Sequence, residues 1–190
     1  MKIEELEKYV KNNLSEYRFN HSKCVMKRCK ELALMYGVDV NKAEKVGIIH
    51  DIAKEMTEEE KIAYIKENNL IVDKIEKVNT GLLHAKIGAD IAKKKFGFSR
   101  DMVEAIAYHT TAKANMGKLA QVLFVADATG EDRHWDDLET AVKMSEKNLE
   151  DVIVYIIDIN IRQNLEKHRL IHPDSIIARN YYLSKEAETE

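Results

Sequence analysis

The stretch VGIIHDIAKE, residues 46–55, places a histidine and an aspartate side by side within an apolar run. The flanking valine and isoleucines belong in a hydrophobic core, but a charged carboxylate does not. Burying one without a partner costs several kcal/mol or shifts its pKa until the group becomes neutral. His50 and Asp51 therefore need a partner inside the protein, which is either another part of the fold or a bound ion.

The composition favours helices almost throughout. The 190 residues include one proline and seven glycines, and 45% are hydrophobic and 33% charged, an ordinary balance for a globular protein. Strand-like alternation of β-branched residues is nearly absent. No linker divides the chain, so we predict one all-α domain, a helical bundle over residues 1–183, followed by a charged, disordered tail over residues 184–190.

The charge and the apolar patterning argue against several kinds of partner. A formal net charge of -3 gives no reason to expect nucleic-acid binding. No apolar run reaches the roughly 18 residues of a membrane span, and the first residues lack the apolar stretch of a signal peptide. Cys24 and Cys29 do not have the spacing of metal ligands, so we expect reduced thiols in a cytoplasmic protein.

Capping residues and glycines predict where the helices begin and end. Asn41 with Glu44 has the form of a capping box, opening the helix that carries residues 46–55. Gly37 and Gly97 have the form of left-handed helix terminators. The predicted helices cover about residues 3–13, 20–36, 41–55, 58–68, 84–96, 100–111, 118–130 and 146–168, with a last short helix that begins at Pro173.

Further polar residues lie within or next to apolar helical segments, as the His-Asp pair does. A lone histidine on an apolar face is usually a satisfied core residue, and a lone aspartate near a helix end usually lies at the surface. Imidazole nitrogens and carboxylate oxygens are, however, the ligands of zinc, iron and manganese. The number of these residues indicates two metal ions with a bridging carboxylate, or one metal ion and a polar substrate pocket. The ordered set is His21, His50, Asp51, His84, His109 and Asp127.

This pattern, H…HD…D on helices, resembles the HD-domain superfamily of metal-dependent phosphohydrolases. The flanking residues are similar to one branch of it, the bacterial YqeK-type HD hydrolases, which cleave diadenosine tetraphosphate symmetrically into two ADP. The resemblance covers nearly the whole chain. The matching segments are RFNHS at 18–22, HDIAKE at 50–55, LLHAKIGA at 82–89, AIAYHTT at 105–111, VAD at 125–127, HP at 172–173 and ARNYYL at 178–183.

The resemblance implies a role for each matching residue. It implies one or two metal ions, with iron as the metal and manganese or cobalt as substitutes. Asp51 would bridge the metals, Lys54 would offset phosphate charge, and His84 or His109 would complete a second metal site, meet the phosphates or protonate the leaving oxygen. The implied ligands are His21, His50, Asp51, Asp127, His84 and His109. The implied substrate contacts are Arg18, His21, Lys54, His84, His109, Thr110, Asp127, Arg133, His172 and Arg179.

The chain departs from the resembled pattern at two places. Ala112 stands where the family usually has glycine after HTT, and Asp132 replaces a proline within TGEDRHW, residues 129–135. Three functions are open: a hydrolase of dinucleoside polyphosphates, another HD nucleotidase or deoxynucleoside triphosphate hydrolase, and a metal-dependent nucleotide-sensing module without turnover. The expected partner is a nucleotide or dinucleoside polyphosphate, without nucleic acid or membrane, and a homodimer is an open alternative.

Overall fold

The structure, a computed structural model, describes residues 2–187, with side chains as far as residue 185. Its helices are α1 (Ile3–Asn13), α2 (Glu16–Tyr36), α3 (Val40–Ile49), α4 (Glu58–Glu67), α5 (Lys74–Val78), α6 (Leu83–Phe96), α7 (Arg100–Ala107), α8 (Lys118–Thr129), α9 (Leu138–Ser145), α10 (Leu149–Glu166) and α11 (Pro173–Ala187), with a short 3-10 helix, Thr80–Leu82, before α6. These described residues contain no strand, so the all-α prediction is confirmed.

Helix α8 is the central helix of the bundle. Its side chains from Leu119 to Ala126 are all buried, and α2, α3, α7 and α10 pack around it. Apart from Gln121, these residues are apolar, as expected of a helix that other helices surround. Asp127, the next residue, is therefore carried into the middle of the protein.

Helices α2 and α3 approach each other closely at Gly47. A β-carbon at this position would lie 2.7 Å from Cα of Met26 on α2, far inside normal contact distance. The close crossing brings His21 of α2 to the end of α3, where its ring centroid lies 5.4 Å from that of His50. A residue without a side chain thus allows the two histidines to meet.

Several predicted helix ends differ from the structure. Helix α2 begins at Glu16, because the Ser15 side chain caps it. The capping box predicted at Asn41 is wrong: Asp39 caps α3, accepting a hydrogen bond from the backbone N–H of Lys42. Short polar side chains near a helix start compete for the capping position, and the sequence alone does not decide between them.

The His-Asp pair lies just beyond α3 and not within a helix. After Ile49 the chain makes tight turns, in which Ile52 N–H donates to the Ile49 carbonyl at 3.0 Å and Lys54 N–H donates to the Asp51 carbonyl at 2.8 Å. Bonds of this three-residue span tighten the chain relative to an α-helix. The predicted helix over residues 41–55 is thus too long at its end.

The last helix is longer than predicted. Helix α11 runs for 15 residues, so residues 184–187 of the expected tail continue it, while 188–190 lie outside the described residues. Helices α5 and α9 were not predicted, since they have five and eight residues. Among residues 2–187, none of the helices combines the length and apolar character that a bilayer span requires.

Candidate metal centre

The structure brings all six predicted metal ligands together. Helix α2 supplies His21, and the turns after α3 supply His50 and Asp51. The other three come from the first turn of α6, the turn after α7 and the end of α8. Five of the six are buried, with at most 3% of their surface exposed, and the sixth, Asp127, has a side chain that is 19% exposed.

Three histidines are oriented by the backbone. In His50, His84 and His109, Nδ1 lies 2.8, 2.5 and 2.7 Å from the carbonyl oxygen of the residue three positions earlier. A carbonyl oxygen only accepts, so Nδ1 of each ring carries the proton and Nε2 keeps a free lone pair. The local chain therefore turns the ligating nitrogen of each ring towards the cluster.

These lone pairs face one another without a hydrogen between them. The Nε2 atoms of His84 and His109 are 3.2 Å apart, and Oδ1 of Asp51 lies 3.1 and 3.4 Å from them. Nε2 of His50 and Oδ1 of Asp51 are buried without a hydrogen-bond partner. Acceptors this close repel unless a cation lies among them, so the residues fit a bound metal ion.

The cluster divides into two overlapping halves. The ligand atoms of His21, His50 and Asp127 lie within 4.8 Å of one another, and so do those of His50, Asp51 and His109. Asp51 faces both halves: Oδ1 lies towards His109, and Oδ2 lies 3.6 Å from Nε2 of His50 and 3.8 Å from Nε2 of His21. This arrangement offers ligand atoms for two metal ions, which Asp51 would hold together with the histidines.

Burial and charge set the protonation states of the cluster. Burial lowers the pKa of His50 and of His84 to about 4, so both rings are neutral at pH 7. Burial opposes ionisation of Asp127, but Arg133 beside it holds the pKa of that carboxyl well below its ordinary value, and the Arg18 guanidinium supplies a positive partner to Asp51 at 2.8 Å. Neutral imidazoles and ionised carboxylates are the forms that bind metal ions.

Two arginines expected at the phosphates instead pair with the carboxylates. Nη1 of Arg18 donates to Oδ2 of Asp51 at 2.8 Å. The Arg133 guanidinium donates to the Asp127 carboxylate and, at 2.6 Å, to the Asp127 backbone carbonyl. Both arginines still border the cluster, so they contribute positive charge there while their side chains are held in place.

The remaining predicted substrate contacts differ in whether they lie near the cluster. Nζ of Lys54 lies 3.3 Å from Nε2 of His84, at the edge of the cluster. His172 lines a cavity, but its Nε2 lies 2.6 Å from Oδ2 of Asp73. Arg179 is not brought to the site, since its guanidinium pairs with Asp158 of α10.

Two cavities border the cluster. One has a volume of about 270 Å³, and its lining includes His109, Asp127, Arg133, Trp135, Ile156 and Ile159. The other has a volume of about 450 Å³, and its lining includes Lys54, Asn79, Asn164, Lys167, Arg169 and His172. They share four lining residues: Thr110, Phe124, Asn160 and Gln163.

Helix α10 supplies site residues that the sequence analysis did not identify. Asn160 and Gln163 line both cavities, and they are spaced to lie on one face of the helix. The available signal was Asn160, a polar residue at a position of the apolar period of α10 that includes Ile153 and Ile156.

The all-helical fold and the buried histidine–aspartate cluster together indicate a metal-dependent hydrolase. The HD domain family matches residues 18–160, and the chain belongs to this family. The resemblance noted in the sequence is thereby confirmed.

Three similar proteins match along nearly their whole length. The symmetrical bis(5'-nucleosyl)-tetraphosphatase of Halalkalibacterium halodurans is 33% identical over 175 residues, covering 92% of this chain and 93% of the relative. The protein of the same name from Bacillus subtilis is 30% identical over 185 residues, covering 97% and 99%. A crystal structure from Clostridium acetobutylicum, described as a predicted HD superfamily hydrolase involved in NAD metabolism, has a TM-score of 0.94 at 30% identity, covering 97% of this chain and 98% of that one.

Proposed function

We propose that this chain is a metal-dependent hydrolase that cleaves diadenosine tetraphosphate symmetrically into two ADP. The observation that carries the metal-dependent part is the convergence of buried, unprotonated imidazole nitrogens on the carboxylate of Asp51. The substrate is supported by two relatives of nearly equal length that bear the name of symmetrical bis(5'-nucleosyl)-tetraphosphatase.

We assign the six clustered residues as metal ligands, with Asp51 as the bridge. The bound metals supply positive charge and an activated water molecule. His84 and His109 are ligands in this proposal and not proton donors, because Nδ1–H of each ring is held by a carbonyl. His84, with its pKa lowered to about 4 by burial, is also a poor acid at neutral pH.

The two adjoining cavities that border the cluster suit a substrate with a nucleoside at each end and phosphates in the middle. In symmetrical cleavage, water adds to the second phosphorus from one adenosine. The bond from that phosphorus to the central bridging oxygen breaks, and ADP forms on both sides. Lys54 is placed to offset negative charge on the phosphate oxygens, and Thr110 lies where the two cavities meet.

We further propose iron as the physiological metal, with manganese or cobalt as substitutes, since imidazole and carboxylate ligands suit all three. We place the protein in the cytoplasm, where a reducing environment suits its two free cysteines, Cys24 and Cys29. The HD domain is proposed to cover residues 1–183. A homodimer stays a prediction that light scattering of the purified chain would test.

Product analysis tests the proposed function. The purified chain is loaded with Fe²⁺, Mn²⁺ or Co²⁺ and incubated with diadenosine tetraphosphate, and the products are separated by chromatography. ADP as the sole nucleotide product is expected. ATP together with AMP would refute symmetrical cleavage. Turnover of deoxynucleoside triphosphates alone would indicate another HD nucleotidase, and metal and nucleotide binding without turnover would indicate a sensing module.

A further inference from the structure

His21 is held differently from the other three histidines of the cluster. Its Nδ1 lies 2.7 Å from Oδ2 of Asp132, whereas Nδ1 of each of the others faces a backbone carbonyl. Its Nε2 lies 3.1 Å from Oδ1 of Asp127 and 3.8 Å from Oδ2 of Asp51. One ring nitrogen of His21 thus faces the cluster, and the other faces a carboxylate outside the proposed ligand set.

The turn after α8 is shaped to bring this carboxylate in. Arg133 N–H donates to the Gly130 carbonyl at 3.0 Å, which closes a four-residue turn with Asp132 at its third position. A β-carbon on Gly130 would lie 3.0 Å from Oδ1 of Asp132, so the glycine leaves room for the carboxylate. Glu131 of the same turn faces away from the cluster and accepts a hydrogen bond from Nζ of Lys27 at 2.7 Å.

We propose that Asp132 is a positioning residue for the metal ligand His21. Its carboxylate accepts the Nδ1–H of the ring, which leaves the lone pair of Nε2 directed at the metal. A carboxylate behind a ligating histidine fixes the ring and makes it a stronger ligand. The inference rests on the proposed function, because it requires a metal ion at Nε2 of His21.

Titration of the metal-free full-length chain with Co²⁺, followed by visible absorption, tests this role. Asp132→Ala is expected to bind Co²⁺ about 10–100-fold more weakly and to alter the absorption spectrum, since the His21 ring is no longer held. Asp132→Asn keeps an acceptor but loses the charge, so it is expected to bind several-fold more weakly with a spectrum closer to wild type. Glu131→Gln removes a carboxylate from the same turn and is the matched control, with unchanged binding expected.

The outcomes separate this inference from the proposed function. Wild-type affinity and spectrum in Asp132→Ala would overturn the positioning role and leave the metal site intact. Failure of the wild-type chain to bind Co²⁺ would overturn the metal site itself. Circular dichroism of the metal-free variants reports folding. Should Asp132→Ala not fold, Asp132→Asn decides the question, and unchanged affinity there would overturn the role.

Discussion

Asp51→Asn is expected to stabilise the metal-free protein and to remove the rise in melting temperature that added metal gives the wild type. In the wild type, Oδ1 of Asp51 faces the lone pairs of His84 and His109 at 3.1 and 3.4 Å. An asparagine places an NH₂ group there, which donates to both rings, while its oxygen still accepts from Arg18. The substitution thus converts repulsion into two hydrogen bonds.

The magnitude follows from these contacts. Two neutral hydrogen bonds contribute about 1 kcal/mol each. The Arg18 contact of 2.8 Å is no longer an ion pair, because the amide oxygen that accepts it is neutral, and it loses about 1 kcal/mol. The net gain is about 1 kcal/mol, which for a domain of this size raises the melting temperature by roughly 2–4 °C.

Thermal unfolding of chelator-treated protein, with and without added Mn²⁺, is the assay. The variant is expected to melt above the wild type without metal and to gain nothing from Mn²⁺. Asp127→Asn is the matched control: Oδ1 of Asp127 already accepts a hydrogen bond from the Arg133 guanidinium, so the loss of charge should lower the melting temperature. A metal-free Asp51→Asn protein that melts below the wild type would refute the assignment of both Nε2 atoms as acceptors.

Three further predictions follow from contacts described above. Lys54→Ala should lower turnover about tenfold or more with near-normal metal content by elemental analysis, and loss of metal would contradict its role at the phosphates. Gly47→Ala should destabilise the fold by about 1–3 kcal/mol in urea unfolding, because its β-carbon meets the Met26 backbone at 2.7 Å; an unchanged midpoint would show that α2 and α3 separate easily. The metal-free protein should lose stability as the pH falls from 6.5 towards 4. His50 and His84 have a pKa of about 4 in the folded protein and of about 6.5 in the unfolded chain. The unfolded chain therefore binds more protons over this range, and protonation favours unfolding. Each ring contributes on the order of 3 kcal/mol, and a flat profile of unfolding free energy over this range would show that the rings are not buried.

The ligand set could be predicted from sequence because each member stands out against an apolar segment. His50, His84 and Asp127 adjoin runs that only a core can accommodate. Their meeting in space required the fold, but their type and order already indicated metal chemistry. The all-α class followed from the same apolar patterning.

The polar contacts around the ligands could not be predicted in this way. Arg18, Arg133 and Arg179 are each expected from the resemblance to contact the substrate, yet each forms an ion pair within the protein. Which carboxylate an arginine meets depends on helix packing, because the partners of Arg18 and Arg179 are 33 and 21 residues distant in sequence. The sequence identifies Asp132 only as a residue that stands in place of a proline, since nothing local indicates that it contacts His21 on α2.

Ala112 shows how the structure explains a sequence departure. Its φ is +58°, in the left-handed region that favours glycine, and the resembled family usually has glycine at this position. The side chain is fully buried, so the methyl group gains contacts that offset part of the strain. The sequence alone identified the unusual residue but not the backbone conformation that makes it unusual.

The two cavities beside the metal cluster differ in chemical character. Trp135 and Ile159 line one of them, and Lys167 and Arg169 line the other. The proposed substrate, with two identical halves, would therefore meet a groove that is not symmetric, and its two ends would experience different surroundings. In the proposed reaction the two ADP molecules, although chemically the same, would form in different surroundings, and a substrate with unlike bases at its ends is expected to acquire a preferred direction of binding.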